Sequence, residues 1–268
     1  MTQSAAQFGT DNPLMMLVCA QRVLYNGLLG RLKGPRRLGA FTLYVACGPG
    51  GFDFQDGARR LTDRRIACAP AHVPHRLAAA SGAITAVLIE PETVAEADLA
   101  ALAARVRDPE GGPDLAARIA GLRGQMADRF GPGFDAAALD AALFGRPLAP
   151  RALDPRIAAA AARLAAPDPE APLSAADCAA QAGLSTSRFL HVFKRETGVR
   201  FSALRMWKRA RNVLVHANRE VNLTHLALDL GYPDSTYFSH SIRSIYGIRP
   251  RAMFAGSRGL DIRTAASA

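Results

Sequence analysis

A chain of 268 residues, 49% hydrophobic and 21% charged, has the composition of a globular protein and length for one large or two ordinary domains. It has no run of about 18 uncharged apolar residues to cross a membrane, and its opening MTQSAAQFGTDNP lacks the basic-then-apolar order of a secretory leader. The net charge of +10 is unevenly placed: residues 151–268 hold 17 Lys/Arg against 9 Asp/Glu, a net of +8, and residues 1–150 only +2. The C-terminal part is therefore aimed at a polyanion, although charge alone does not separate DNA, RNA and anionic lipid.

Residues 14–93 read as β. Leu38–Ala46 is a strand rich in β-branched and aromatic residues, ended by Gly48-Pro49-Gly50-Gly51. Shorter strands are expected at Gly51–Gln55, Arg64–Ala69, His75–Ala79 and Ile84–Glu90, spaced as in a small sandwich or barrel. Cys19, Cys47, Cys68 and Cys178 are far apart with no CxxC pair, which fits reduced thiols in a cytoplasmic protein. Arg59, Arg60, Arg64 and Arg65 cluster about one hairpin, as a solvated edge or an attractor of an anionic effector.

From Val94 the pattern turns helical. Leu99, Leu102 and Val106 form one apolar stripe and Leu115, Ile119, Leu122 and Met126 another. These stripes serve either a dimer seam or packing within the subunit. A short helix is expected at Asp135–Phe144, and Gly145–Pro150 reads as a linker. Beyond Leu153 all is helix and turn. Asp154-Pro155 opens a helix to Ala165, APDPEAP stops it, and Leu173–Ala182 follows with Ser174 as its cap.

Two segments of this region repeat at an offset of 48 to 49 residues: Ser174–Gly198 and Asn222–Gly247. Each has an alanine (Ala179, Ala227) four residues before a glycine (Gly183, Gly231), then a polar cap, a second helix, and a closing glycine (Gly198, Gly247). The small alanine lets one helix cross the other, and the glycine permits a turn of positive φ. Phe189, Val192 and Phe193, and in the second unit Phe238 and Ile242, form the inward face. Ser187, Leu190, His191 and Lys194, with Ser235, Thr236, Ser239, His240 and Arg243, fall on the outward face, suited to reading base edges in a major groove. The helix Phe201–Asn218 joins the units, with Trp207 as core. Its cations Arg205, Lys208, Arg209 and Arg211 are expected on phosphates, as are Arg188, Arg195 and Arg249.

Residues 154–256 resemble the DNA-binding domain of the AraC/XylS family of bacterial transcription regulators. The match runs through Ala179, Gly183, Ser185, Phe189, Phe193-Lys194 and Gly198, then through Gly231-Tyr232, Tyr237-Phe238, Tyr246-Gly247 and Pro250. The resemblance implies double-stranded promoter DNA as partner, RNA polymerase as a second partner if the protein is an activator, and base contacts from the outward faces just named. His191 and His240 depart from the longer cations or amides of relatives, so the bases they read stay open. Relatives usually carry an N-terminal module that binds a small-molecule effector, dimerises, or both. Pro70–His75 is similar to the second cupin motif, with His72 where glycine is usual, but no first motif supplies the two His and the Glu of a metal site.

The expected fold is thus two-domain: an N-terminal mainly-β cupin-like barrel (1–94) followed by helices (95–145), then a linker (146–153), an all-α domain with two helix-turn-helix units (154–256), and a flexible tail (257–268). His72, His75, Tyr44 and Cys47 are the effector-pocket candidates. A soft-metal site built from Cys47, Cys68, His72 and His75 is the minor alternative. No cofactor and no catalytic residue is expected. The rival readings are a metal-dependent cupin enzyme tethered to DNA and a barrel that only makes a homodimer.

Overall fold

The computed structural model describes residues 14–29, 34–48, 50–79, 81–131, 133–165 and 173–265. The opening segment and the stretch 166–172, expected to stop a helix, lie outside them.

Among the described residues nine strands build two sheets: β1 (Met15–Cys19), β2 (Arg22–Leu28), β3 (Phe41–Ala46), β4 (Phe52–Asp56), β5 (Arg59–Arg64), β6 (Ile66–Ala69), β7 (His75–Ala79), β8 (Ala83–Ile89) and β9 (Asp261–Thr264). The larger sheet has the order β6-β3-β8-β2-β1-β9 and the smaller the order β5-β4-β7. The central strands read as continuous apolar runs because both faces of the large sheet are buried. Alternate residues divide between two cores. Met15, Leu17, Leu43, Val45, Val87 and Ile89 point to the helices that follow the sheet. Met16, Val18, Tyr44, Ala46, Ala86 and Leu88 point to the small sheet and to the C-terminal helices.

The first of these cores is closed by α1 (Glu96–Arg107), α2 (Gly111–Gly121), α3 (Met126–Arg129) and α4 (Ala136–Phe144). Leu102, Leu115, Ile119, Leu122 and Met126 are buried there, so the two apolar stripes pack within the subunit. Arg22 of β2 and Asp140 of α4, both buried, fasten the layer with paired hydrogen bonds of 2.9 Å. The expected linker is held rather than loose: Ala95 N–H donates to Ala149 (2.8 Å) and Arg151 N–H to Thr93 (3.3 Å).

The C-terminal region contains α5 (Pro155–Ala165), α6 (Ala175–Gln181), α7 (Thr186–Thr197), α8 (Phe201–Asn212), α9 (Leu223–Asp229), α10 (Ser235–Tyr246) and α11 (Pro250–Gly256). The joining helix is α-helical only to Asn212 and tightens to a 3-10 turn over Val213–His216. Four particulars differ from the sequence reading. The strand expected at Leu38–Ala46 begins at Phe41. The span Arg64–Ala69 is the end of β5, a bend at Arg65, and β6. The hairpin β1–β2 lies within the β region 14–93 but outside the individual strands expected there. The tail 257–268, expected to be flexible, contains β9, which pairs in parallel with β1 from Met15↔Asp261 to Val18↔Thr264. Arg263 there donates to the carbonyls of Ala127 (2.5 Å) and Phe130 (3.1 Å), which ties the end of the chain to the N-terminal layer.

Candidate nucleic-acid interface

The two helix pairs α6–α7 and α9–α10 are built by the same local chemistry. Ser174 caps α6 in a reciprocal box with Asp177, and Asn222 caps α9 by accepting from Thr224 and His225 N–H. Ala179 and Ala227 are fully buried where the second helix crosses the first. Both turns pass through a left-handed glycine, Gly183 at φ 65° and Gly231 at φ 73°. Equivalent hydrogen bonds close them: Leu184 N–H to Ala179 and Tyr232 N–H to Ala227, each 2.9 Å. The offset is 48 residues through the turn and 49 after it, because the second turn holds Pro233 as an extra residue before its cap. Ser185 and Asp234 then cap α7 and α10, accepting from Arg188 and Tyr237 N–H, and left-handed Gly198 and Gly247 end them.

Packing sets which face of each second helix looks outward. Phe201 meets Phe189 and Phe193 edge-on, and those two rings tilt against each other, around the first unit, and Phe238, Ile242 and Ile245 are buried in the second. Ser187, Leu190, His191 and Lys194 are left exposed on α7, and Ser235, Thr236, Ser239, His240 and Arg243 on α10. Tyr237, half exposed at 50%, joins the α10 face, an aromatic that the sequence reading assigned no outward role.

The cations expected on phosphates divide. Arg188 and Arg249 are exposed. Arg195 is exposed but pairs with Glu196 at 2.9 Å. Arg205 is half-buried, donating to Leu173 (3.0 Å) and lying over the Phe201 ring. Arg209 is half-buried against Gly231, and burial lowers its guanidinium pKa. Lys208, expected on a phosphate, is instead buried and cannot reach one. Its ammonium binds both Glu90 and Glu92, at 2.7 Å to the latter. Arg211, expected outward with it, is buried as well, pairing with Glu90 at 3.3 Å and donating to the Cys19 carbonyl.

Trp207 is core, as expected, but at the seam between the two halves, donating from Nε1 to Glu90 at 3.0 Å. Burial opposes the Lys208 charge and the two carboxylates outweigh it, so its pKa is raised. Burial and the neighbouring Glu90 charge push the Glu92 carboxyl up. Sequence reasoning missed both glutamates. Their only local signal is two acids flanking Pro91 directly after a strongly apolar strand.

The effector-pocket candidates His72, His75, Tyr44 and Cys47 line neither of the two clefts described in this structure. Tyr44 and His75 form a buried pair: the tyrosine hydroxyl donates to Nε2 (2.7 Å) while Nδ1–H donates to Val73 (2.9 Å). Burial lowers the His75 pKa to about 4, so its ring is neutral near pH 7. His72 adopts a left-handed φ of 62°, and burial lowers its pKa too. Cys47 sits beside Asn26 and Thr85, away from Cys68 on β6. Among the described residues no cluster of three metal-ligating side chains forms, so the soft-metal set is not assembled. The cavity of about 230 Å³ lies instead between β1, β2 and β8 and the C-terminal helices. It is lined by Met16, Val23, Leu88, Leu214, Tyr246 and Met253 among others, and Arg36 is its one charged residue among the described residues.

Residues 178–256 match the model of a family described as "Helix-turn-helix domain". No curated protein sequence matches the chain. Among solved structures, an apo variant of ToxT from Vibrio cholerae is similar at 11% identity and a TM-score of 0.51, covering 88% of this chain and 97% of its own. A second ToxT structure gives 12%, 0.50, 88% and 98%. A transcriptional regulator from Chromobacterium violaceum, described among AraC-type DNA-binding domain-containing proteins, is 25% identical over 39% of this chain and 92% of its own, with a TM-score of 0.35. The ToxT likeness extends over both halves and bears on fold alone.

Proposed function

We propose that this chain, whose C-terminal region is an AraC/XylS-type tandem helix-turn-helix domain, is a sequence-specific transcriptional regulator of promoter DNA. The observation that carries this reading is the pair of second helices capped in the same manner by Ser185 and Asp234, each with a largely polar outward face, in the most basic part of the molecule. On this reading α7 and α10 enter successive major grooves, about 34 Å apart on one side of the duplex. Ser187, Leu190 and His191 address bases in one groove, and Ser235, Thr236, Ser239 and His240 in the other. Lys194 and Arg243 supply charge at the groove edge, and Arg188, Arg195 and Arg249 steady the backbone. Leu190, 39% exposed, suits contact with a thymine methyl rather than a hydrogen-bond pattern.

Regulation on this reading passes through the cavity at the domain boundary. Its walls come from the N-terminal sheet and the C-terminal helices together, so a small apolar effector there touches both halves and shifts their relative stability. The test is binding of the full chain to random duplex DNA with selection of the bound fraction. A recovered consensus of roughly two helical turns, with affinity falling steeply as salt rises, supports the reading. Unselected binding, or none, removes it.

A further inference from the structure

The arginines about the β4–β5 hairpin are of two kinds. Arg60 lies 3.9 Å from the Asp53 carboxylate, and Arg65 donates to the carbonyls of Gly48 (2.6 Å) and Gly50 (2.8 Å). Arg59 and Arg64 have no ion pair or side-chain hydrogen bond among the described residues. They stand, with the equally unpaired Arg107 from the last turn of α1, around a cleft of about 170 Å³.

A bulge brings Arg64 there. Opposite residues of an antiparallel pair share a face, and side chains alternate along each strand. Arg59 pairs with Asp56 and Leu61 with Phe54, in step. The register then shifts: Arg64 pairs with Phe52, so three steps along β5 match two along β4. Asp63 absorbs the extra residue with a left-handed φ of 49°. Its carboxylate accepts from Gly51 N–H (3.0 Å), and its own N–H donates to Asp53 (3.3 Å). Without the bulge Arg64 faces the other side, with Arg60. With it, Arg59, Leu61 and Arg64 share one face.

The floor is Cys68 of β6, with Leu61 and Val106 as apolar walls. Burial raises the Cys68 pKa, while Arg107 and Arg59 pull it down and Asp56 pushes it up. Two guanidiniums and one carboxylate therefore act at the floor, and Arg64 leaves the cleft net positive.

We propose that this cleft binds a small molecule bearing a multivalent oxyanion, phosphoryl or clustered carboxylates, held among Arg59, Arg64 and Arg107. A small apolar portion lies on Leu61 and Val106. Planar forks that converge on a concave site suit such groups, and the cleft shares no residue with the cavity at the domain boundary. The site is thus separate from the DNA-binding reading and stands or falls independently of it.

The test is calorimetric titration of the full chain with pyrophosphate and with citrate at constant ionic strength, acetate serving as the monovalent control. The expected result is saturable single-site binding of at least one multivalent probe, and which one binds distinguishes phosphoryl from carboxylate chemistry. Arg64→Ala and Arg107→Ala should each weaken it about tenfold or more, the loss of one charge-assisted contact. Arg60→Ala, on the opposite face, should leave it unchanged. Far-UV circular dichroism verifies that each variant is folded. The proposal is overturned if neither probe binds more tightly than acetate. It is overturned equally if Arg60→Ala weakens binding as much as Arg64→Ala, the mark of general charge attraction.

Discussion

Replacing Glu90 with glutamine keeps the size of the side chain and an acceptor for Trp207 but removes one charge from a dry cluster. Glu90, Glu92, Lys208 and Arg211 are all at most 6% exposed. In the variant Lys208 keeps Glu92, whereas Arg211 loses the one carboxylate it pairs with among the described residues. Removing one member of a buried ion pair costs about 3–5 kcal/mol, because the remaining charge stays out of water. All these contacts cross between the N-terminal layer and α8, so the loss falls on the seam between halves. The chain has a single tryptophan, and Trp207 sits at that seam. Its fluorescence therefore reports seam opening while far-UV circular dichroism reports the helices. Urea unfolding of Glu90→Gln should show the fluorescence transition moved down by about 1 M or more, taking a slope near 3 kcal/mol per M, and running ahead of the dichroism. A Glu90→Gln and Lys208→Met double-mutant cycle should give a coupling of at least about 1 kcal/mol. A fluorescence midpoint no lower than that of the exposed control Glu220→Gln refutes the reasoning.

Other perturbations test neighbouring parts. A Cβ on Gly39 overlaps the Trp207 ring, so Gly39→Ala should destabilise the seam by about 1–3 kcal/mol and red-shift the tryptophan emission. His75, with its pKa lowered by burial to about 4 from 6.5, binds its proton less well folded than unfolded. It therefore contributes stability that is present above about pH 6.5 and lost as the pH falls toward 4. Between pH 7 and pH 5 that loss is about 2 kcal/mol, and denaturation of His75→Gln at the two pH values should show a correspondingly smaller difference. Filling the boundary cavity with Ala252→Trp should abolish the response of DNA binding to any effector that acts there, and an effector response of full size in that folded variant counts against the site. Lys194→Ala and Arg243→Ala should each lower DNA affinity, and a mobility-shift series in salt should give a slope shallower by about 1 if the lost contact is to a phosphate.

The helix-turn-helix units were legible because their determinants are local. A cap, a small crossing residue and a left-handed glycine at fixed spacing leave a mark in the string itself, and Gly183, Gly231, Ser185 and Asp234 do what that mark implies. The sheet was legible as β texture, but its partners were not. The short segment Asp261–Thr264 carries no strong strand pattern, and it is ordered by the free edge of β1 nearly the whole chain away. Lys208 and Arg211 were misplaced for a related reason. On an amphipathic helix a cation defaults to solvent, and only carboxylates 118 residues earlier in the chain, in the case of Lys208 and Glu90, reverse that default. Arg64 shows the same limit on a smaller scale, since strict alternation along β5 puts it on the wrong face and one bulge corrects it.

The most direct measurement of the central claim is base preference, read by selection from random duplexes with the wild type and with Ser187→Ala, Thr236→Ala and His240→Ala proteins of verified fold. The wild type should select one consensus spanning two successive major grooves. Ser187→Ala should relax it in one groove, and Thr236→Ala and His240→Ala in the other. An unchanged consensus in all three variants would contradict the assignment of α7 and α10 as the elements that read DNA.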